Sequence, residues 1–354
     1  MLGFLATPFL WLCYVVIMFG TVFSITSLHW LTMWAGLEIN LIGFLPIMAY
    51  DSKTSSSESI VKYFVVQALG SSLFMIGSLW LYSLSYSWEF LFYMQEDSFA
   101  FVLIVCALLI KLGAFPFHYW VPSVMAGLPW FACLLLATWQ KLAPLFLLCY
   151  LMDCNFMSLV IVMVCFFAGG SSILGGVGGV NQTQLRGLIA YSSIGHMGWL
   201  VFSSMKSSWI LNMYYIAYVF IVFCLFISFL KSNVNFMSRS GFVVDYNELH
   251  SISMVILLSL GGLPPFLGFV PKLFIIMSAV QGPGGYVLCF LIAGALISLY
   301  YYLHLLYIVT MSVIMKREVL LPSYSIGNFL LILFLVFNMF GGFLVLMVDA
   351  MMLA

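Results

Sequence analysis

Apolar runs long enough to cross a bilayer follow one another along almost the whole chain. They lie near residues 4–25, 29–49, 60–84, 99–126, 129–150, 156–176, 185–204, 209–230, 252–280, 286–313 and 327–348. A membrane helix needs roughly twenty mostly apolar residues, so the pattern predicts about eleven transmembrane helices. The longest polar stretch, Lys231 to Glu248, reads as a modest loop, and no soluble domain interrupts the series. Charged residues make up only 6% of the 354, against about a quarter in an ordinary soluble domain. A water-facing surface cannot be built from such a chain. The expected fold is an all-α polytopic membrane protein, one integral membrane domain over residues 1–354. Its formal net charge of zero offers no basic patch for nucleic acid. The 8 cysteines fall mostly inside apolar runs with no CxxC pair, and read as packing residues.

Charge in the loops sets the orientation. With the predicted spans, Lys53, Lys62, Arg186, Lys231, Arg239, Lys316 and Arg317 share the side of the N-terminus, and Lys206 alone falls on the other. Lys/Arg bias places its side toward the cytoplasm or matrix. The N-terminus is therefore expected on that side, and the C-terminus, after an odd number of spans, opposite.

Two segments share a phrase. Pro116-Phe117-His118-Tyr119-Trp120-Val121-Pro122 in the fourth recurs as Pro265-Phe266-Leu267-Gly268-Phe269-Val270-Pro271 in the ninth. Each follows glycine: Gly113 in one case, Gly261 and Gly262 in the other. Proline removes a backbone hydrogen bond and clashes with the preceding turn, so both segments are expected to be broken helices. Broken helices at matching places in two halves point to an internally repeated transporter.

Once the loops are assigned, Glu38, Lys111, Lys141 and Lys272 remain inside spans. Each costs about 2.5–3.5 kcal/mol at mid-bilayer on insertion scales, so they should face the bundle interior or a wet cavity. One glutamate can neutralise at most one lysine. The other lysines either stay charged in a polar channel or give up a proton, and a buried lysine that does both near neutral pH is a proton carrier. Lys111 and Lys272 flank the two breaks, where freed backbone groups can order water. His118 and His196 are candidate relays, because imidazole titrates near neutrality; His304 is a weaker one. The plain alternative is a set of ion pairs that fix helix register. Gly175-Gly176-Val177-Gly178-Gly179 lacks the lysine and βαβ context of a phosphate loop and is expected to form a tight inter-helix turn.

Several phrases are specific. They are Trp34-Ala35-Gly36-Leu37-Glu38-Ile39-Asn40, Lys111-Leu112-Gly113-Ala114-Phe115-Pro116-Phe117-His118, Thr138-Trp139-Gln140-Lys141-Leu142-Ala143-Pro144, Asn181-Gln182-Thr183-Gln184-Leu185-Arg186, and Gly261-Gly262-Leu263-Pro264-Pro265 through Pro271-Lys272. In these the chain resembles the subunit 2 family of mitochondrial NADH dehydrogenase, antiporter-like subunits of respiratory complex I. The resemblance spans the second to the ninth segment; the tenth and eleventh match in hydropathy only.

That resemblance implies a shortened antiporter-like fold. It consists of a leading helix (1–25), two inverted five-helix repeats (29–176 and 185–313) with discontinuous helices near 111–122 and 261–272, and a C-terminal helix at 327–348. It implies a proton path through Glu38, Lys111, Lys141 and Lys272, with breaks marked by Pro116, Pro122, Pro265 and Pro271. In the expected mechanism Glu38 pairs with Lys111, quinone reduction elsewhere disturbs the pair, and a proton passes through water and histidine to Lys141 and then Lys272. The expected setting is the mitochondrial inner membrane among other membrane-arm subunits, including other antiporter-like ones. FMN, Fe–S clusters and ubiquinone are expected in other subunits, none in this chain, with bound phospholipid compatible. The alternatives are a stand-alone cation/proton antiporter subunit and a structural membrane-arm subunit without its own proton path.

Overall fold

The computed structural model describes residues 8–50, 54–89, 98–154, 158–232, 248–280, 284–316 and positions 336, 338, 339 and 341. The described residues are overwhelmingly helical: α1 (Pro8–Thr26), α2 (Trp30–Ala49), α3 (Thr54–Ser85), α4 (Ser98–Leu112), α5 (Trp120–Gly127), α6 (Trp130–Ala137), α7 (Trp139–Cys154), α8 (Ser158–Val180), α9 (Leu185–Ser203), α10 (Ser208–Ser232), α11 (Glu248–Gly261), α12 (Phe269–Val280) and α13 (Gly285–Lys316). Among them, 7 spans are long and apolar enough to cross a membrane, and α4 and α12 are shorter apolar helices. The expected C-terminal helix at 327–348 and most of the Lys231–Glu248 loop lie outside the described residues.

Outward surfaces are apolar. Phe9, Trp11, Leu12, Val15, Phe19 and Val22 of α1 are each about 59–62% exposed, which suits hydrocarbon as the surrounding solvent. Inside, serine hydroxyls return to their own helices, as Ser71 does to the Ala68 carbonyl and Ser193 to that of Ala190, so these hydroxyls are satisfied without water.

The chain gathers into two compact units, Met1–Ala168 and Gly169–Ala354. In the first, α1 lies along α2 through a seam of small residues. A methyl added at Gly36 would meet Ser24 Cβ at 2.7 Å, and one at Gly20 would meet the Asn40 amide nitrogen at 2.8 Å. Membrane helices approach closely by such seams, because burial from lipid supplies no hydrophobic drive. Helix α3 packs on α2, α4 and α5, and α7 packs on α1, α2 and α4. A buried aromatic column links them: Phe44 meets Tyr63 edge-on at 5.4 Å, and Tyr63 meets Trp120 at 5.8 Å. In the second unit α10 packs on α9, α11 and α12, and α13 packs on α9, α11 and α12.

One expectation is corrected. The glycine cluster 175–179 is not a turn but part of α8. A Cβ on Gly175 would run into the backbone of Gly195, one on Gly178 into the Tyr191 ring, and one on Gly179 would meet Tyr301 at 2.6 Å. The glycines are there for close approach, which outweighs their roughly 1 kcal/mol helix penalty each. The expected span at 129–150 is present as one apolar span, Trp130–Asp153, with a one-residue irregularity at Thr138 between α6 and α7. There the Thr138 hydroxyl takes the Leu134 carbonyl at 2.7 Å, and Pro144, one turn beyond Lys141, withholds the N–H that Gln140 O would accept.

Candidate functional site

Both expected breaks are present, and the prolines share the work unequally. Gly113 (φ 69°) and Gly262 (φ 81°) end the first half-helices in the left-handed region that glycine tolerates. Their amides close matching turns onto Ile110 O (3.2 Å) and Ser259 O (3.0 Å). Pro116 and Pro265 lie in the non-helical links. Pro122 and Pro271 instead sit in the first turns of α5 and α12, where an N–H has no helical acceptor anyway, so they begin helices rather than break them.

In the first unit Glu38 is on α2, Lys111 in the last turn of α4 and Lys141 on α7. Both lysines are buried. The expected Glu38–Lys111 ion pair is not formed, and Glu38 Oε1 is buried without a hydrogen-bond partner. The stem of Lys111 lies against α3 where Gly70 leaves room; a Cβ there would stand 3.1 Å from Lys111 Cγ. Asn40, two positions beyond Glu38, accepts from Gln140 Nε2 at 3.3 Å, which ties α2 to α7 beside Lys141.

The carbonyls freed at the first break are met by neutral donors. Trp120 Nε1 donates to Ile110 O at 3.1 Å, and Gln67 Nε2 to Lys111 O at 3.4 Å. His118 sits in the link with Nδ1 3.1 Å from Pro116 O and its ring beside Phe115 and Tyr119. The structure brings His118 to the break, with no hydrogen bond from it to a lysine.

The second unit solves the same problem with a cation. Lys272, buried in the first turn of α12, donates through Nζ to Gly261 O at 2.9 Å and Leu260 O at 3.2 Å, the last carbonyls of α11. The negative end of the α11 dipole faces the ammonium, and the Trp199 ring lies 5.9 Å from Nζ. A side chain at Gly262 would displace it, since an added Cβ would stand 2.8 Å from Nζ.

Two cavities meet at His196. One, of about 10 Å³, is lined by Lys272, His196, Trp199, Ser172, Ser192 and Tyr302, among others. The other, of the same size, is lined by His196, Tyr214, Tyr218, Leu260 and Pro271, among others. Each has about the room one water molecule needs. No carboxylate lines either. Tyr214 OH holds His196 Nδ1 at 2.9 Å, and the Tyr218 ring is 5.3 Å from the imidazole. Lys272 and His196, both candidates from the sequence, therefore line one cavity. His304 is exposed and stacks on Tyr300.

Sequence reasoning missed Tyr214, Trp199, Trp120 and Gln67 as parts of these sites, and Asn338 altogether. Charge accounting passes over neutral side chains. A buried amide or a tyrosine four residues from another on one helix face, as with Tyr214 and Tyr218, is the signal that could have found them.

The profile of the family described as NADH:quinone oxidoreductase/Mrp antiporter, TM, matches residues 27–299, which takes in all four intramembrane charges and both breaks. NADH-ubiquinone oxidoreductase chain 2 of Anopheles gambiae is 36% identical over 92% of this chain and 92% of its own length. That of Myxine glutinosa is 39% identical over 82% of each. The chain belongs to the NADH-ubiquinone oxidoreductase chain 2 family. Its fold is also found in solved assemblies. A chain of respiratory complex I from Thermus thermophilus matches with TM-score 0.78 at 23% identity, covering 95% of this chain and 79% of that one. One of the Mrp complex from Dietzia sp. DQ12-45-1b matches with TM-score 0.70 at 16% identity, covering 89% and 61%. At these identities the likeness speaks for the antiporter-like fold alone. The family and the apolar helices together make this a multi-pass membrane protein.

Proposed function

We propose that this chain is a proton-translocating membrane-arm subunit of NADH:ubiquinone oxidoreductase, respiratory complex I. The observation that carries the reading is the burial of Lys111, Lys141 and Lys272 within a chain of this family, because ionisable residues held inside a membrane at such a cost mark ion pathways by default. It contributes to the enzyme as a subunit, with redox chemistry on FMN, Fe–S clusters and ubiquinone in other subunits. It lies in the mitochondrial inner membrane, N-terminus to the matrix and C-terminus to the intermembrane space, beside other membrane-arm subunits.

Glu38 biases the charge of Lys111 from a distance, so a change in the field at Glu38 alters how readily Lys111 holds its proton. Lys141 is the next carrier in the first unit, and Lys272, with His196 on the same cavity, is the carrier in the second. Water of the size those cavities admit bridges Lys272 and His196.

Lys141→Met tests the reading. The variant is expected to migrate on a native gel in the large NADH-oxidising band and to oxidise NADH with an artificial acceptor, while pumping with quinone is abolished. Full pumping would overturn the proton-path role. Loss of the band itself would favour a structural subunit, and migration of the native chain in a small assembly without NADH oxidation would favour a stand-alone antiporter.

A further inference from the structure

The second break differs from the first in having a strap. Leu267, in the link between α11 and α12, donates its amide to Asn338 O at 3.1 Å. The Asn338 side chain donates through Nδ2 to Ser259 Oγ at 2.9 Å. Asn338 is therefore bonded on both sides of Gly262, to the last turn of α11 and to the end of the link, just before α12. It is 2% exposed. Gly341 closes on the same link, since a Cβ there would stand 2.6 Å from Leu267 Cδ1.

Ser259 is a node in this arrangement. Its carbonyl receives the Gly262 amide at 3.0 Å, its hydroxyl also donates to Ile256 O at 2.6 Å, and its carbonyl lies where a Cβ on Gly268 would collide. The next two carbonyls, Leu260 O and Gly261 O, are the ones that hold Lys272 Nζ. Whatever fixes Ser259 and the link fixes the direction in which those carbonyls point. The first break needs no equivalent, because its free carbonyls are held by the Trp120 and Gln67 side chains and not by a titrating group.

We infer that Asn338 is a positioning residue for proton transfer: by bridging Ser259 and Leu267 across the second break, it aims the carbonyl cradle of Lys272. The inference rests on the reading of Lys272 as a proton carrier. The titratable groups around the cradle are His196 of α9, Tyr214 and Tyr218 of α10 and Tyr302 of α13, and none carries a negative charge at neutral pH, so the backbone carbonyls are the principal stabilisers of the ammonium. A loosened cradle favours the neutral amine, and Lys272 then runs out of protons at lower pH.

The experiment compares Asn338→Leu, Ser259→Ala, the double variant and Lys272→Met, each in the whole complex. The readouts are the proton-to-electron ratio with quinone as acceptor, its pH profile, and NADH oxidation with an artificial acceptor. Asn338→Leu and Ser259→Ala are each expected to lower the ratio severalfold and move the alkaline limb of the profile to lower pH, with artificial-acceptor activity unchanged. The double variant should lose no more than the singles, since both remove one bond. Lys272→Met should stop pumping. Wild-type ratio and profile in both single variants, with Lys272→Met inactive, would overturn the role of Asn338 while leaving the proton path standing. Pumping intact in Lys272→Met would overturn the path itself. Should Asn338→Leu fail to assemble, Ser259→Ala decides alone, because it cuts the same bond from a position where alanine fits the helix.

Discussion

At residue scale, the buried lysines keep different company. Lys111 makes no ion pair with Glu38, whereas Lys272 is held by carbonyls. Glu38→Gln removes the field while keeping the shape. It is expected to lower coupled pumping severalfold and to leave artificial-acceptor activity intact, checked by the proton-to-electron ratio of the assembled complex. Tyr214→Phe deletes the hydroxyl on His196 Nδ1, a bond worth about 1 kcal/mol net. The expected outcome is a few-fold slower quinone-linked pumping with a changed pH profile; an unchanged profile would mean that Tyr214 only fills space. The four charges were legible in the sequence because charge inside an apolar run stands out. The neutral partners were not, because a tyrosine or glutamine in such a run differs little from its neighbours until the fold places it against a ring nitrogen or a freed carbonyl.

At the scale of elements, the breaks were legible and their closure was not. Glycine followed by proline announces a discontinuity, but which donor reaches which carbonyl depends on helices far away in sequence, as Gln67 on α3 does for Lys111 O on α4. Trp120→Phe keeps the ring on Tyr63 and removes the indole N–H. Ile110 O keeps the Gly113 amide as a donor, so the loss is one hydrogen bond, about 1 kcal/mol, and a slightly lower melting temperature of the assembled complex is expected with the proton-to-electron ratio preserved. The glycine cluster shows the opposite failure. Its composition resembles a turn, and only the nearness of α9 and α13 reveals a close-packed helix face. Gly175→Val drives a branched side chain into the Gly195 backbone, and no NADH-oxidising band containing the chain is expected on a native gel.

At the scale of the whole molecule, the number of apolar segments follows from hydropathy, since the bilayer acts on each segment separately. The grouping into Met1–Ala168 and Gly169–Ala354 does not, because it depends on which small faces meet. The outward face of α1 makes the solvent testable. Val15→Arg places a charge on it at a cost of about 2.5–3.5 kcal/mol on insertion scales, and the fraction of chain inserted into membranes should fall; unchanged insertion would place that face against protein or water. The cradle of Lys272 has a bearing on how such a molecule is read genetically. Its counter-charge is composed of peptide groups that every amino acid carries. A saturation scan would mark position 272 as intolerant, with no acidic residue lining its cavity to account for its charge. Pairwise covariation would report no charge partner for it, only side chains such as Asn338 and Ser259 that aim the carbonyls.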